Sequence, residues 1–418
     1  MHQSFSCPVF FAISLLLSCA FLHRPSMNAR LGKTSINTDT TEANRLLDTA
    51  QIKIGDGRYS DGLAVAQHAE QLMLKHFAPT DARLARAVYA VGLCLRREEK
   101  TNWEAYRHRA FEIAPKATLI DKGHLYFFRG MVHLLDGENT IAYRTLDSAT
   151  FYYQVAAGSS GILHSNAGRC HTNMGYILKD SSPLKALEHF QQAKQILKKT
   201  VGWMSISTAY PFHNEGYVYY NMGRFSEAKL SLDTAYMIRQ KLLSINHVDL
   251  GRTQMMFGLV LAQQGKFEQA EDWLRTCISI AENSGNIQLA AYSRENLSLV
   301  YDGLRQYRKS LKNHEEALEF GKKYGDTKEG TAQTLLNIGI AWRQIARQEN
   351  KPELYPNAWK YYQMALDSLS DTSTVRFEVF NAMGVTYQEQ GDFPQAKAMF
   401  EKILNLQKKG NYPAAFGG

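Results

Sequence analysis

Residues 216–235 read GYVYYNMGRFSEAKLSLDTA, and their pattern decides the fold. A small residue opens the segment, and a glycine followed by an aromatic residue divides it into two halves with helical spacing. The glycine suits the end of a first helix. Small residues on both sides of the turn let two antiparallel helices approach closely, because the side chains at a contact set the distance between helix axes. The segment therefore predicts a helical hairpin with seven pattern positions: Gly216, Tyr219, Gly223, Phe225, Ala228, Leu232 and Ala235.

The same pattern returns along the chain at a nearly constant period. Two copies repeat the spacing in full: Gly258, Leu261, Gly265, Phe267, Ala270, Leu274 and Cys277, then Gly384, Tyr387, Gly391, Phe393, Ala396, Phe400 and Ile403. Less regular copies keep only part of it. The small residues that open the nine copies are Ala50, Gly92, Gly130, Gly175, Gly216, Gly258, Ser298, Gly339 and Gly384. They are separated by 38 to 45 residues, a period of about 41.

A repeat of this length is typical of a solenoid, in which each hairpin packs mainly against its neighbours. The sequence thus predicts an all-α protein, an α-solenoid of about nine helix-turn-helix hairpins over residues 42–409. Two places depart from the pattern. The copy at Gly92 has a weak second helix, and the segment RQENKPELYP at 347–356 is an insertion.

On these positions the chain resembles tetratricopeptide repeat (TPR) proteins, particularly the long-period type of kinesin light chains and of bacterial envelope and sensor arrays. The resemblance covers residues 42–409. It implies a right-handed superhelix in which the first helices of successive hairpins line a concave groove. It also implies that this groove holds an extended peptide or a helix of a partner protein.

Residues expected on the groove side change in character along the chain. An aromatic and basic set comprises Arg86, Tyr89, Arg96, Arg97, Phe127, Arg169, Tyr176, Lys179, Tyr210, His213, Tyr217, Tyr220 and Arg252. Near the C-terminal end the set comprises Tyr292, Glu295, Asp302, Glu378 and Glu389. Arginine and tyrosine are common interface anchors, so we expect a partner with an acidic segment or a C-terminal carboxylate. In the alternative interpretation, several tyrosines only pack between neighbouring hairpins.

An asparagine stands two residues before the small residue in four copies: Asn173, Asn214, Asn296 and Asn337. The resemblance implies that these asparagines hydrogen-bond the backbone of a bound peptide, as the matching asparagine does in peptide-binding TPR domains. An amide suits that role because it offers a donor and an acceptor together. Alternatively, these amides bond locally along the surface between helices.

Composition and charge agree with a folded binding protein. The chain is 44% hydrophobic and 21% charged with 10 prolines, which excludes a disordered chain. The net charge of +8 arises in the first half, where residues 1–200 hold 24 basic and 17 acidic residues. This excess either steers acidic partners toward the chain or is simply solvated helix surface.

The sequence contains no motif that carries chemistry. It lacks a Walker loop, GxGxxG, HExxH, GxSxG and a kinase signature. Cys94, Cys170 and Cys277 sit in helical patterns without metal-ligand spacing, so they are interpreted as structural. We therefore expect no enzyme activity, no cofactor, no metal and no nucleic-acid partner.

The hydrophobicity of the N-terminal segment predicts an export signal. Residues 8–22 form an apolar run of signal-peptide length. Cys19 ends a lipobox-like LLSC and would be lipidated, although SCA also fits an ordinary signal-peptidase site. The alternatives are a retained anchor, or a cytoplasmic protein translated from Met27. We assign 1–22 as the signal, 23–41 as a flexible linker and 410–418 as a tail.

Two functions follow from these observations. The first is a non-enzymatic scaffold of the bacterial cell envelope, periplasmic or at the outer surface, that binds a protein or peptide and touches the membrane only through its N-terminal anchor. The alternative is a signal-input repeat domain of a split or truncated transcriptional regulator or histidine kinase system.

Overall fold

The repeat pattern folds into successive α-helices. The computed structural model describes residues 28–55, 58–158, 161, 163–325, 327–370 and 373–408. Within these ranges no strand forms, and the α-helices are α1 (Asn28–Gly55), α2 (Tyr59–Leu74), α3 (Ala85–Arg97), α4 (Trp103–Ile113), α5 (Leu119–Leu135), α6 (Asn139–Ala157), α7 (Ser165–Leu178), α8 (Pro183–Thr200), α9 (Ile206–Asn221), α10 (Phe225–Leu242), α11 (Val248–Gln263), α12 (Phe267–Asn283), α13 (Ile287–Gly303), α14 (Tyr307–Tyr324), α15 (Lys328–Gln348), α16 (Tyr355–Ser368), α17 (Val375–Glu389) and α18 (Phe393–Lys408).

Each odd-numbered helix packs against the even-numbered helix that follows it, which gives nine hairpins among the described residues. Successive hairpins contact one another through both helices, and the first helices of neighbouring hairpins also touch, as α3 and α5 do. The prediction of an all-α solenoid of about nine hairpins is therefore confirmed.

Glycine is required in this pattern for two different reasons. A β-carbon at Gly216 would lie 2.7 Å from Leu232 Cγ and 3.2 Å from the Ala228 carbonyl oxygen, so the side chain must be absent for the two helices to pack. Gly223, at the turn, instead has φ of +73°, which favours glycine, and its missing side chain faces open space. The spacing seen in the sequence thus reflects one close helix contact and one left-handed turn.

The two irregular copies keep the register that the sequence predicts. A β-carbon at Gly92 would lie 2.9 Å from Tyr106 Cβ in α4, although α4 is only 11 residues long. The insertion at 347–356 contains a short 3-10 helix, Pro352–Leu354, before α16 begins. Beyond it, a β-carbon at Gly339 would lie 2.5 Å from Tyr362 Cε1.

The start of the array differs from the prediction. Residues 28–41 were assigned to a flexible linker, but α1 begins at Asn28 and includes them. His76 Nε2 in α2 lies 2.8 Å from Asp39 Oδ2, so this early part of α1 packs on α2. The apolar period starts only at Ala43, which explains why the sequence pattern missed the preceding turns.

Two expectations concern parts of the chain that the structure does not describe. The signal stretch 8–22 with Cys19 and the tail 410–418 lie outside the described residues. Among the described helices, none combines the length and the apolar character needed to cross a bilayer.

Candidate functional site

The first hairpin closes back onto the middle of the array and encloses a cavity of about 600 Å³. Gln51 of α1 donates a hydrogen bond to Asn166 Oδ1 of α7 over 3.1 Å, although the two residues are 115 positions apart. We call this space the Arg169 cavity. Its walls are Gln51, Ile52, Arg58, Ser165, Arg169, Val201, Met204, Ser205, Ile206, Ser207, Leu242 and Leu243.

The mouth of the Arg169 cavity is apolar and exposed. Ile52 is 64% exposed, Leu242 44%, Val201 42% and Met204 37%. Beside them, the exposed ring of Trp203 stacks edge to face on Phe212, with 5.2 Å between ring centroids. Exposed apolar side chains that cluster around a concave site are typical of a binding surface.

Arg169 supplies the positive charge of the inner wall. Its guanidinium donates to Ser207 Oγ over 3.0 and 3.2 Å and to Asn166 Oδ1 over 3.3 Å. Both partners are neutral. Within the part of the chain that the structure describes, no carboxylate lies within ion-pair distance of Arg169, and the cavity walls contain no acidic residue.

The other predicted basic groove residues are mostly neutralised within the protein. Carboxylates lie 2.5 Å from Arg86, 2.7 Å from Arg96, 3.0 Å from Arg252 and 2.5 Å from Lys179. Their partners are Asp48, Asp136, Asp249 and Asp180, respectively. Arg97 is exposed and lies 5.6 Å above the centre of the Tyr59 ring. Of the predicted basic groove residues, Arg97 and Arg169 therefore remain without a carboxylate partner among the described residues.

A buried polar cluster holds Arg169 in place. The Asn166 side chain donates to the hydroxyls of Tyr89 and Tyr153, each over 3.2 Å, and accepts from Gln51 and Arg169. Tyr153 also contacts His124 Nδ1 over 2.8 Å. Since Asn166 is fully buried and joins α1, α3, α6 and α7, it fixes the wall of the cavity.

The histidines of this cluster are kept neutral. Burial, together with the positive charges of Arg169 and Arg86, lowers the pKa of His164 to about 4. Burial likewise lowers the pKa of His124 well below its usual value, again with Arg86 contributing. The inner wall therefore carries the charge of Arg169 without added histidine charge near neutral pH.

Substituting Asn166 with alanine is expected to destabilise the N-terminal half by about 2–3 kcal/mol. The substitution removes the partner of Gln51 and leaves the buried Tyr89 hydroxyl without its donor. Urea denaturation monitored by circular dichroism measures the loss.

Asn296 provides the matched control, because its partly exposed side chain donates only to the Tyr292 carbonyl on its own helix. Asn296→Ala should change the free energy of unfolding by less than about 0.5 kcal/mol. Equal losses at the two asparagines would contradict the role given to the cluster.

A second polar cluster lies beside α9 and α11. Tyr210 donates to Asp249 Oδ2 over 2.7 Å, and the fully buried Arg239 donates to the Asp249 carbonyl and to Thr253. Burial alone would raise the pKa of Asp249, but Arg239, Tyr210 and Arg252 outweigh it and lower the pKa to about 2. Tyr210 and Arg252 thus stabilise the contact between neighbouring hairpins.

The predicted aromatic residues divide between core and surface. Tyr89 and Phe127 are buried, at 1% and 3% exposure, so they belong to the N-terminal core and do not line an open groove. Burial also lowers the pKa of His213 well below its usual value. The others are partly exposed or exposed: Tyr176, Tyr210, Tyr217, Tyr220 and Tyr292.

Among these, Tyr217 donates to Asp180 over 3.1 Å, and Tyr220 packs on Phe225. Lys179 lies 4.3 Å above the Tyr217 ring. These contacts join neighbouring helices, as in the alternative interpretation. Tyr176 and Tyr292 present about half of their surface to solvent.

The four asparagines also behave differently. Asn173 donates to the Arg169 carbonyl over 2.9 Å, and Asn296 makes the equivalent bond to Tyr292 along its own helix. Asn173 also donates to Met131 Sδ of α5 over 3.2 Å, so its amide bonds between helices as well. Asn214 has no side-chain hydrogen bond to another described residue. Asn337 lines a second cavity.

This second cavity, of about 260 Å³, lies between α15 and α17. Its polar residues include the amides Gln333, Asn337 and Asn381, and Gln333 donates to Glu378 over 3.0 Å. Burial raises the pKa of Glu295, and the negative charge of Glu378 raises it further. The negative charges of two predicted acidic residues therefore influence each other at the C-terminal end.

The described residues hold no group of three or more histidine, cysteine or acidic side chains placed to bind a metal ion. Cys94, Cys170 and Cys277 are buried thiols. Burial raises the pKa of Cys94 and Cys170 to about 12 and that of Cys277 to about 11, which keeps the thiols protonated.

Sequence reasoning found Arg169 but missed the rest of the cavity. Gln51, Ile52 and Arg58 belong to the first hairpin, whereas Val201 and Met204 belong to a loop between hairpins. No sequence pattern of fixed spacing indicates that these distant segments lie together. The exposed apolar residues of the loop 201–205 were the only signal, because exposed Trp and Met side chains are unusual in a short turn.

Comparison with known families agrees with this architecture. Tetratricopeptide repeat models match residues 207–283 and 377–409. The chain carries tetratricopeptide repeats in these two segments. No curated protein matches it in sequence.

Several solved structures share the TPR fold over most of the chain. The apo quorum sensor NprR from B. thuringiensis has a TM-score of 0.63 at 12% identity, covering 90% of this chain and 99% of NprR. A Rap protein complexed with competence and sporulation factor has a TM-score of 0.59 at 12% identity, covering 88% and 98%. These identities show a common fold.

The third similar structure is a signal transduction ATPase with numerous domains and a tetratricopeptide repeat sensor, from Pyrococcus horikoshii. Its TM-score is 0.57 at 15% identity, and the match covers 83% of this chain and 53% of the ATPase. The shared region again shows the solenoid fold.

Proposed function

We propose that this TPR protein is a non-enzymatic interaction scaffold that binds a peptide or protein segment, possessing an acidic group, on its concave side. The observation that carries the proposal is the Arg169 cavity. It lies between the first helices α1, α7 and α9, with the ends of α8 and α10 beside them, and is of ligand-binding size. It combines an apolar mouth with an arginine that has no carboxylate partner among the described residues.

The fold supports this proposal. TPR superhelices present their first helices on an extended concave surface, which is suited to a long segment. The similar Rap structure is a complex with competence and sporulation factor. In this chain, the amides and Glu378 of the second cavity would contact a more distant part of the same segment.

A site of action in the cell envelope is part of the proposal. Its support is the apolar run at 8–22 and the lipobox-like sequence at Cys19. A cytoplasmic protein translated from Met27 is the alternative.

A second candidate function is a signal-input domain that acts on a separate output protein. The similarity of fold to the quorum sensor NprR, over 90% of this chain, favours this candidate. Both candidates require a ligand in the concave groove, so they share the same first experiment.

Photocrosslinking at the mouth of the cavity tests the proposal. A benzophenone amino acid at Met204 is expected to form adducts with a polypeptide in cells that express the chain naturally. The same probe at Leu230, which is 70% exposed on α10 and outside the cavity, is the control. Identical adducts at both positions, or none at Met204, would refute binding at this site.

A further inference from the structure

The Arg169 cavity joins an uncompensated cation to an apolar mouth, and this combination restricts the ligand. Arg169 uses three N–H groups in its hydrogen bonds to Ser207 and Asn166. A guanidinium has five such groups. Two donors therefore remain for a ligand, in a half-buried position where a neutral environment stabilises the positive charge poorly.

A carboxylate satisfies such a site better than a neutral group does. It accepts two parallel hydrogen bonds from a guanidinium, and the charge-assisted bonds are about twice as strong as neutral ones. The described residues of the cavity walls include no acidic residue that would repel an anion, and the second arginine among them, Arg58, pairs with Asp61 over 3.9 Å, which leaves Arg169 as the main charge.

The helix ends around the cavity add to this preference. Ser165 is the first residue of α7, and Ile206 and Ser207 begin α9, so two helix N-termini line the wall that holds Arg169. Helix N-termini carry partial positive charge and favour anions nearby. These N-termini add to the positive charge of Arg169 and do not form an anion site by themselves.

The apolar mouth requires a second feature of the ligand. Ile52, Val201, Met204 and Leu242 are exposed around the opening, and a purely acidic ligand would leave them in water. Covering them with a bulky apolar side chain removes that surface from solvent, which is the main favourable term in most associations. Ile52 of α1 and the residues Val201 and Met204 line the same cavity, so an apolar side chain bound there would cover part of this surface.

We infer that the Arg169 cavity binds a peptide segment in which a carboxylate lies next to a bulky aliphatic or aromatic side chain. This inference rests on the proposed function and specifies its ligand. The carboxylate comes either from an aspartate or glutamate side chain or from a free C-terminus, because both present the same two oxygens to Arg169.

Affinity selection with synthetic peptide pools tests this chemistry. The full-length chain, purified and immobilised, is incubated with random heptapeptides that end in either a free carboxylate or an amide. The bound peptides are sequenced by mass spectrometry. We expect at least tenfold enrichment of peptides that place an acidic group next to Leu, Ile, Phe or Met. Enrichment only from the pool with free C-termini would identify the C-terminal carboxylate, whereas enrichment from both pools would identify an aspartate or glutamate side chain.

Substitutions in the cavity wall test the acidic and the apolar preference separately. Arg169→Gln should abolish the acidic preference and keep the apolar one, while Met204→Ser should weaken the apolar preference severalfold. Arg252→Gln removes the same charge from a residue already paired with Asp249 and should leave the selection unchanged. Arg169→Lys keeps the charge and should keep part of the acidic preference if Arg169→Gln proves unstable.

The outcomes distinguish failure of the inference from failure of the function. Strong selection of peptides without the acidic and apolar pair would overturn the inference and keep the proposed function. Selection of the pair that survives both Arg169→Gln and Met204→Ser would place binding elsewhere and overturn the inference. No selection from either pool, with no adduct at Met204, would overturn the proposed function itself.

Discussion

Replacing Gly258 with valine is expected to lower the free energy of unfolding by about 3 kcal/mol or more. A β-carbon at this position would lie 2.6 Å from Leu274 Cγ and 3.3 Å from the Ala270 carbonyl oxygen. Leu274 is fully buried and the carbonyl belongs to the α12 backbone, so neither can move without separating α11 from α12. Chemical denaturation followed by circular dichroism measures the loss.

Gly265 in the same repeat is the control. Its φ is +73°, but a β-carbon there would face open space. Gly265→Ala should therefore show only the backbone strain of a left-handed residue, about 1 kcal/mol. If Gly258→Val were no more costly than Gly265→Ala, close helix contact would not be the reason for the conserved spacing within this chain.

The repeat was visible in the sequence because each of its contacts lies within one hairpin. Gly216 and Leu232 touch across a single turn, and the same distance along the chain separates Gly258 from Leu274. Such contacts leave a pattern at fixed spacing. The turns of α1 before Ala43 leave none, since α1 has only α2 and α3 to pack on at that end, and the sequence therefore suggested a linker there.

The ion pairs between hairpins left a weaker signal that could have been used. Arg86 pairs with Asp48, Arg96 with Asp136, and Arg308 with Glu349. Each pair is separated by nearly one period, because equivalent positions of successive repeats lie side by side. Searching for opposite charges about 41 residues apart would have shown that two of the predicted basic groove residues, Arg86 and Arg96, are neutralised.

The Arg169 cavity could not be found in this way. Gln51 and Asn166 are separated in sequence by almost three repeat periods. Their contact depends on how tightly the solenoid curves. Curvature is the sum of small rotations between hairpins, and no local pattern reports that sum. The sequence thus identified Arg169 as a groove residue but gave no indication of the wall opposite it.

Lowering the pH from 7 to 5 is expected to destabilise the protein by several kcal/mol, on the order of 10 before the offset by buried carboxyl groups. Burial lowers the pKa of His164, His171 and His314 to about 4, and it lowers the pKa of His124 and His213 well below the usual value. In the unfolded chain each histidine has a pKa near 6.5.

The sign follows from proton binding. Between pH 6.5 and 4 the unfolded chain binds more protons than the folded one, so stability is complete above pH 6.5 and is lost as the pH falls through this window. Each histidine with a pKa of about 4 contributes about 2 kcal/mol to the loss at pH 5. Asp121, Glu295 and Asp302, whose pKa values burial raises, offset part of it. Denaturation midpoints at pH 7, 6 and 5 measure the slope.

The seventh repeat offers a variant that isolates one of these histidines. There Ser298 replaces the small glycine, and His314 stands where Leu232 and Leu274 stand in the regular repeats. The double substitution Ser298→Gly and His314→Leu restores the regular pair, so the hairpin should still pack. Because it removes one buried titrating group, it should reduce the loss between pH 7 and 5 by about 2 kcal/mol. An unchanged pH slope in a folded double variant would show that buried histidines do not cause the acid sensitivity.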